Sequence, residues 1–122
     1  MRLRIEQKQV PPDITVLELR GKITLGPDSL QLESLVKELR EAQVRKLIFD
    51  MAGIEYLDSA GLGVLTYCFR TMKKVGGEFR LAAPGDSVLK LLQLTHLDSI
   101  LPVDPNVGDA CRQLQAAETA GG

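Results

Sequence analysis

The feature that most constrains this fold is an alternation of strand-like and helix-like segments that follows an initial pair of strands. Two strand patterns come first, around Leu3 and Ile5 and then in "ITVLELRG", with the turn signal "PPD" between them. From Gly26 onward, helical stripes alternate with short apolar runs such as "KLIFDM". A strand that is joined to the next through a helix lies parallel to it in the sheet. The order β-β-α-β-α-β-α-β-α predicts an α/β fold: a small mixed β-sheet that opens with an antiparallel hairpin, continues through parallel crossovers and is covered by about four helices.

The boundaries of the first and last helices are marked in the sequence. The segment "GPDS" predicts a helix start with Asp28 as the N-cap, and Asn106 is the expected cap of the last helix. A length of 122 residues suits one compact domain. We therefore expect a single domain over residues 1–117 and a frayed tail over residues 118–122.

Composition narrows the class of protein and its partners. Apolar residues make up 44% of the chain and charged residues 25%, which is typical of a soluble globular domain. The formal net charge of −1 gives no positive field for nucleic acid. The two cysteines have no metal-ligand spacing, and neither a signal peptide nor a membrane-spanning run is present. The sequence predicts a reduced, cytoplasmic protein without a cofactor, a metal, membrane insertion or a nucleic-acid partner.

The tripeptide "LDS" occurs twice, and the two copies have different surroundings. In "HLDSILP", Ser99 is followed by two apolar residues and Pro102, so a helix cannot continue from it. We interpret Asp98 and Ser99 as a turn that leads into a short strand, formed through side-chain bonds to nearby backbone.

The other copy, "YLDSAGLG", stands between an apolar strand and an amphipathic helix. The first amides of a helix lack internal acceptors, so Asp58 or Ser59 is expected there as a cap. Gly61 and Gly63 each cost the helix about 1 kcal/mol relative to alanine, which indicates a close approach near the helix start. Two interpretations of the motif remain open. Either Asp58 or Ser59 merely caps the helix and the glycines let it pack tightly on the sheet, or the Ser59 hydroxyl accepts a phosphoryl group that the helix dipole tolerates.

The residues around this motif resemble a known family. The segment "LIFDMAGIEYLDSAGLGVL", the loop "LRGKITLG" and the downstream "GGEFRLAAP" are similar to the STAS domain of bacterial anti-sigma-factor antagonists, and the likeness covers nearly the whole chain. An Asp-Ser-x-Gly-Leu-Gly motif after an apolar strand is fairly specific to this family. The absence of a Walker loop, a dinucleotide fingerprint and a Gly-x-Ser-x-Gly motif leaves catalysis by this chain unsupported.

The resemblance implies a role for each residue near the motif. The serine after the aspartate, here Ser59, is the phosphoacceptor for the anti-sigma factor, a GHKL-type serine kinase, and a PP2C-type phosphatase reverses the mark. The unphosphorylated antagonist binds the anti-sigma factor and so frees sigma. The expected partner-binding residues form two segments: Gly21, Lys22, Ile23, Thr24 and Leu25, and Asp58, Ala60, Gly61, Leu62 and Gly63.

Two positions depart from the family pattern. Ala60 stands where a second hydroxyl is frequent, so Ser59 is the only hydroxyl in the motif. Thr24 occupies a position that is often acidic, which leaves the choice of partner open. The alternative is a constitutive scaffold subunit of a stressosome-type or lipid-transport assembly, in which Ser59 only caps the helix.

Overall fold

A computed structural model of the chain describes residues 2–121, with side chains described up to residue 116. The strands are β1 (Arg4–Val10), β2 (Ile14–Ile23), β3 (Lys46–Leu57), β4 (Glu78–Ala82) and β5 (Val103–Asp104). The helices are α1 (Pro27–Glu41), α2 (Ser59–Lys73), α3 (Asp86–Leu94) and α4 (Val107–Gly121), with a short 3₁₀ turn at Leu97–Ser99.

The five strands form one mixed sheet in the order β1-β2-β3-β4-β5. β1 pairs antiparallel with β2, and each later neighbouring pair is parallel. The predicted hairpin, the crossovers and the four helices are all confirmed.

Alternating side chains of the sheet supply two cores, because both of its faces are covered. Leu17 and Leu19 of β2 point into the larger core, which contains buried residues of α1, α2 and α3. Ile14 and Val16 of the same strand belong to a smaller core beneath α4. A strand covered on both faces is expected to carry consecutive apolar residues, as β3 does at Leu47, Ile48 and Phe49. Within the described residues, no helix has the length and apolar character needed to cross a membrane.

The two longest strands extend further than their sequence patterns predict. β2 continues past Gly21 to Ile23, and β3 continues through the predicted exit loop to Leu57. Their parallel pairing is maintained by register shifts near Arg20 and Lys22, which absorb the irregular residues. As a result, β3 ends at the residue just before Asp58.

The cap prediction for the first helix is wrong. Gly26 occupies the N-cap position of α1, and no side chain there bonds to the helix amides. The Asp28 carboxylate instead accepts a bond from the Leu3 amide at 3.2 Å and pairs with Arg2 at 2.9 Å, because the amino-terminal segment passes beside it. The Asn106 cap is confirmed: its side chain accepts from the Asp109 amide at 2.7 Å.

A partly buried ion pair fixes the two-residue strand β5. Nε of Arg80 donates to one carboxylate oxygen of Asp104 at 2.5 Å, and Nη2 donates to the other at 3.2 Å. Such a bidentate pair compensates the desolvation of Asp104, which is 5% exposed. The frayed tail at 118–122 stays a prediction. Helix α4 extends to Gly121, but the side chains of residues 118–121 are not described, and residue 122 lies outside the described residues.

Candidate functional site at the start of helix α2

Asp58 connects three elements at the carboxyl ends of β2 and β3. Its backbone lies between the end of β3 and the first residue of α2, and its amide donates to the Ile23 carbonyl at 3.4 Å. One carboxylate oxygen accepts from the Gly61 amide at 2.8 Å and caps the helix. The other accepts from the Leu25 amide at 3.1 Å, in the loop between β2 and α1. A single side chain therefore holds this loop against the start of α2.

Hydrogen bonding keeps Asp58 ionised. The Gly61 amide, and after it the Leu25 amide, lower the pKa of Asp58 below its ordinary value, because each N–H bond favours the charged form. The start of α2 therefore carries a fixed negative charge at its cap, where the helix dipole also favours an anion.

Gly61 allows the helix to approach the sheet closely. A Cβ atom at Gly61 would collide with the carbonyl oxygen of Ile23 at the end of β2. Gly63 has no such neighbour: a Cβ there would meet nothing within 4 Å. The tight packing of the helix on the sheet that the glycines were expected to allow is confirmed for Gly61, whereas Gly63 leaves the exposed surface of the first helical turns without a side chain.

Ser59 is exposed at the first position of α2 and takes no part in capping, because Asp58 is the N-cap. Among the residues that the structure describes, none forms a hydrogen bond with the Ser59 hydroxyl, although this group lies one residue from a fully bonded carboxylate. The interpretation of Ser59 as the helix cap is therefore wrong. Its hydroxyl has no structural role in the described part of the fold.

The neighbouring residues predicted from the sequence are brought together, but they differ in accessibility. Leu25 is 85% exposed, although its backbone amide is fixed by Asp58. The base of its loop is closed by the Ser29 hydroxyl, which donates to the Thr24 carbonyl. Lys22 and Gly63 are also exposed, Thr24, Ala60 and Leu62 are half-buried, and Gly21, Ile23 and Gly61 are buried.

The structure adds an apolar groove that sequence reasoning missed. Tyr56, near the end of β3, is 53% exposed and borders a groove of about 370 Å³ whose opposite wall is Val88 and Leu91 of α3. Glu55, Asp58 and Ser87 also line this groove, so it reaches the motif and carries two carboxylates beside its apolar residues. Periodicity identifies residues that face the sheet, but it gives no sign that α3 leaves this gap.

The second "LDS" copy forms the predicted turn. Asp98 and Ser99 lie in the 3₁₀ turn, and the Ser99 hydroxyl donates to the His96 carbonyl at 2.8 Å. The hydroxyl of this exposed serine is therefore committed to its own turn, in contrast to that of Ser59.

The family model described as the STAS domain matches residues 7–110. The chain belongs to the STAS domain family. The anti-sigma-B factor antagonist of Bacillus subtilis is 30% identical to this STAS domain over 104 residues, which is 84% of this chain and 92% of that protein.

Solved structures share the fold of this STAS domain. The crystal structure of an anti-sigma factor antagonist from Mycobacterium paratuberculosis superimposes with a TM-score of 0.79 at 22% identity, covering 93% of this chain and 94% of that one. The Bacillus cell fate determinant SpoIIAA, solved in its phosphorylated form, gives a TM-score of 0.71 at 19% identity, covering 91% and 99% of the two chains.

The two glycines of the motif offer a matched pair of substitutions. We expect Gly61→Ala to lower the free energy of unfolding by about 1–3 kcal/mol, since the new methyl group forces α2 away from the Ile23 carbonyl. Gly63→Ala is expected to raise it by up to about 1 kcal/mol through helix propensity. Urea denaturation followed by circular dichroism measures both, and equal effects of the two substitutions would contradict the close approach at Gly61.

The cap at Asp58 predicts a pH-dependent contribution to stability. Because the folded-state pKa is lowered, this stability is present above the unfolded pKa of about 3.9 and is lost as the pH falls through the folded value. Asp58→Ala should lower Tm at neutral pH, and the difference from wild type should narrow on acidification. Asp98→Ala, in the other "LDS" copy, is the control and should leave Tm nearly unchanged at each pH. A Tm difference for Asp58→Ala that persists under acidic conditions would contradict the role of its charge.

Proposed function

We propose that this STAS domain is an anti-sigma-factor antagonist that is switched off by phosphorylation of Ser59. Its partner is an anti-sigma factor with GHKL-type serine kinase activity, which it binds in the unphosphorylated state, and a PP2C-type phosphatase reverses the modification. The chain is the substrate in this exchange: the γ-phosphoryl group of ATP passes to the Ser59 hydroxyl oxygen, ADP leaves, and the hydroxyl proton is released.

The observation that carries the proposal is the uncommitted, exposed hydroxyl of Ser59 at the first position of α2. A kinase can reach such a group without unfolding the helix. The cap does not depend on Ser59, since the Asp58 carboxylate accepts its hydrogen bonds from the Gly61 and Leu25 amides. A phosphate at a helix N-terminus is also favoured by the dipole and the free amides.

The effect of the phosphate follows from the surface around it. A phosphoserine adds a charge of about −1.5 to −2 beside the ionised Asp58. The exposed Leu25 and Tyr56 and the half-buried Leu62 provide apolar area around the same point. An interface that covers these side chains would have to desolvate the new dianion, which is strongly unfavourable without a matching cation. Phosphorylation is therefore expected to prevent docking while leaving the fold intact.

The first test is direct labelling. Incubation with the cognate kinase and radiolabelled ATP should label the wild type at Ser59, and Ser59→Ala should abolish the label. Ser99→Ala is the matched control and should be labelled like wild type, because Ser99 is in the other copy of the tripeptide. Label found at Ser29, Ser87 or Ser99 would contradict the assignment, and no label with any kinase partner captured from native extract would favour the constitutive scaffold.

The second test separates charge from the hydroxyl. Ser59→Asp should weaken binding to the unmodified anti-sigma factor by about tenfold or more, equivalent to about 1.4 kcal/mol or more, because it places a charge in the interface. Ser59→Ala should bind as wild type does, and Ser99→Asp controls for an added charge elsewhere. Isothermal titration calorimetry measures all three. An unchanged affinity of Ser59→Asp would show that charge at this position is not the switch.

A further inference from the structure

The outer edge of β1 is open. β1 is the first strand of the sheet and pairs on one side with β2; no other strand in the described residues pairs with its outer side. Its seven residues contain no proline, and five of them are exposed. An edge of this kind presents unpaired N–H and C=O groups that can accept another strand.

Within one chain, β1 places like charges opposite each other across its pairing with β2. The register places Glu6 opposite Glu18 and Arg4 opposite Arg20, and like charges directly across a sheet repel. Lys8 forms an ion pair with Glu18 at 3.1 Å, which offsets part of the repulsion between Glu18 and Glu6. Glu6 forms no direct ion pair with a described residue. The bond to Glu18 raises the pKa of Lys8, and the Glu6 carboxylate, on the same strand as Lys8, adds to this only through a longer-range attraction.

We propose that β1 pairs antiparallel with β1 of a second copy, about a two-fold axis through Gln7. In the sequence "RIEQKQV", this register places Glu6 of each copy opposite Lys8 of the other. Two opposite-charge pairs therefore form at once, and each Lys8 lies between Glu18 of its own chain and Glu6 of its partner. A shift of the register by one residue places Glu6 and Lys8 opposite uncharged residues, and a shift by two places Glu6 opposite Glu6 or Lys8 opposite Lys8. The charge pattern therefore selects this alignment.

The opposite face of the strand is compatible with the same pairing. Ile5 and Leu35 are half-buried and line a groove of about 340 Å³ between β1 and α1. In the proposed register Gln9 of the partner lies opposite Ile5, so the added strand extends the sheet beneath this groove and covers part of its apolar lining. Ser59 follows β3, which is two strands away from β1, and therefore stays free in the dimer.

Charge reversal tests the pairing with two variants, each of which would place like charges opposite each other in a dimer of identical copies. Glu6→Lys places lysines opposite Lys8 of the partner, and Lys8→Glu places glutamates opposite Glu6, so each variant alone should weaken dimerisation by about tenfold or more. An equimolar mixture should restore wild-type dimerisation, because every cross-strand pair between the two variants has opposite signs. Sedimentation velocity across a concentration series at low salt measures the dissociation constants, which should rise with salt as the pairs are screened.

Two controls keep the outcome specific. Lys37→Glu changes an exposed charge on α1 and should leave dimerisation unchanged. Circular dichroism checks folding, which matters for Lys8→Glu because it loses the bond to Glu18. If that variant does not fold, the double variant Glu6→Lys with Lys8→Glu is used instead. It places a lysine directly opposite Glu18 and keeps opposite charges across the dimer, so it should dimerise like wild type. A wild-type chain that stays monomeric at every concentration, dimers unaffected by either reversal, or a mixture that fails to restore them would overturn the proposal.

Discussion

The close contact between the first turn of α2 and the end of β2 is the constraint on which the rest of the site depends. Gly61 makes the contact sterically possible, because any larger residue would collide with the Ile23 carbonyl. Asp58 makes it energetically favourable, because its two oxygens bond to amides of Gly61 and Leu25, on either side of the contact. The loop that carries Leu25 and the helix that carries Ser59 are therefore parts of one rigid surface.

This arrangement divides two tasks between adjacent residues. Asp58 satisfies the helix terminus and is fully occupied, whereas Ser59 is exposed and uncommitted. A modification of Ser59 can therefore change the charge of the surface without removing a bond that supports it. If the Ser59 hydroxyl were the cap, adding a phosphate to it would remove the hydrogen bond that supports the start of α2. In the proposed function, this separation of the two roles would let a phosphoryl group on Ser59 act on binding rather than on folding.

Local signals in the sequence were sufficient for the sheet and for the exposed serine, but contacts between distant segments were not predictable. The alternation of apolar runs and helical stripes gives the parallel crossovers, and "YLDSAGLG" locates the helix start. The bond from the Leu25 amide to Asp58 joins residues far apart in the chain, and no periodicity reports it. The N-cap predicted at Asp28 is wrong for the same reason. The Asp28 carboxylate accepts a hydrogen bond from the Leu3 amide, and only the folded chain brings these two residues together. The continuation of β3 to Leu57 likewise depends on pairing with β2 rather than on its own residues.

The proposed partner-binding surface around Ser59 and the open edge of β1 are separated by the geometry of the sheet. The proposed two-fold axis through Gln7 makes β1 of the two copies antiparallel, so the parallel strands β2 and β3 of one copy run opposite to those of the other. The Ser59 residues, which lie beyond the carboxyl ends of these strands, then lie on the two opposite sides of the ten-stranded sheet, one at the upper and one at the lower ends of its strands. Two kinase molecules could dock on such a dimer without meeting. Phosphorylation of one copy would leave the Glu6 and Lys8 pairs intact. Glu6 is opposite Glu18, whereas Ser59 lies beyond the end of β2 at Ile23, roughly 16 Å further along the strand, and charges are screened beyond about 10 Å. Self-association and the phosphoryl switch would therefore operate independently in the same domain.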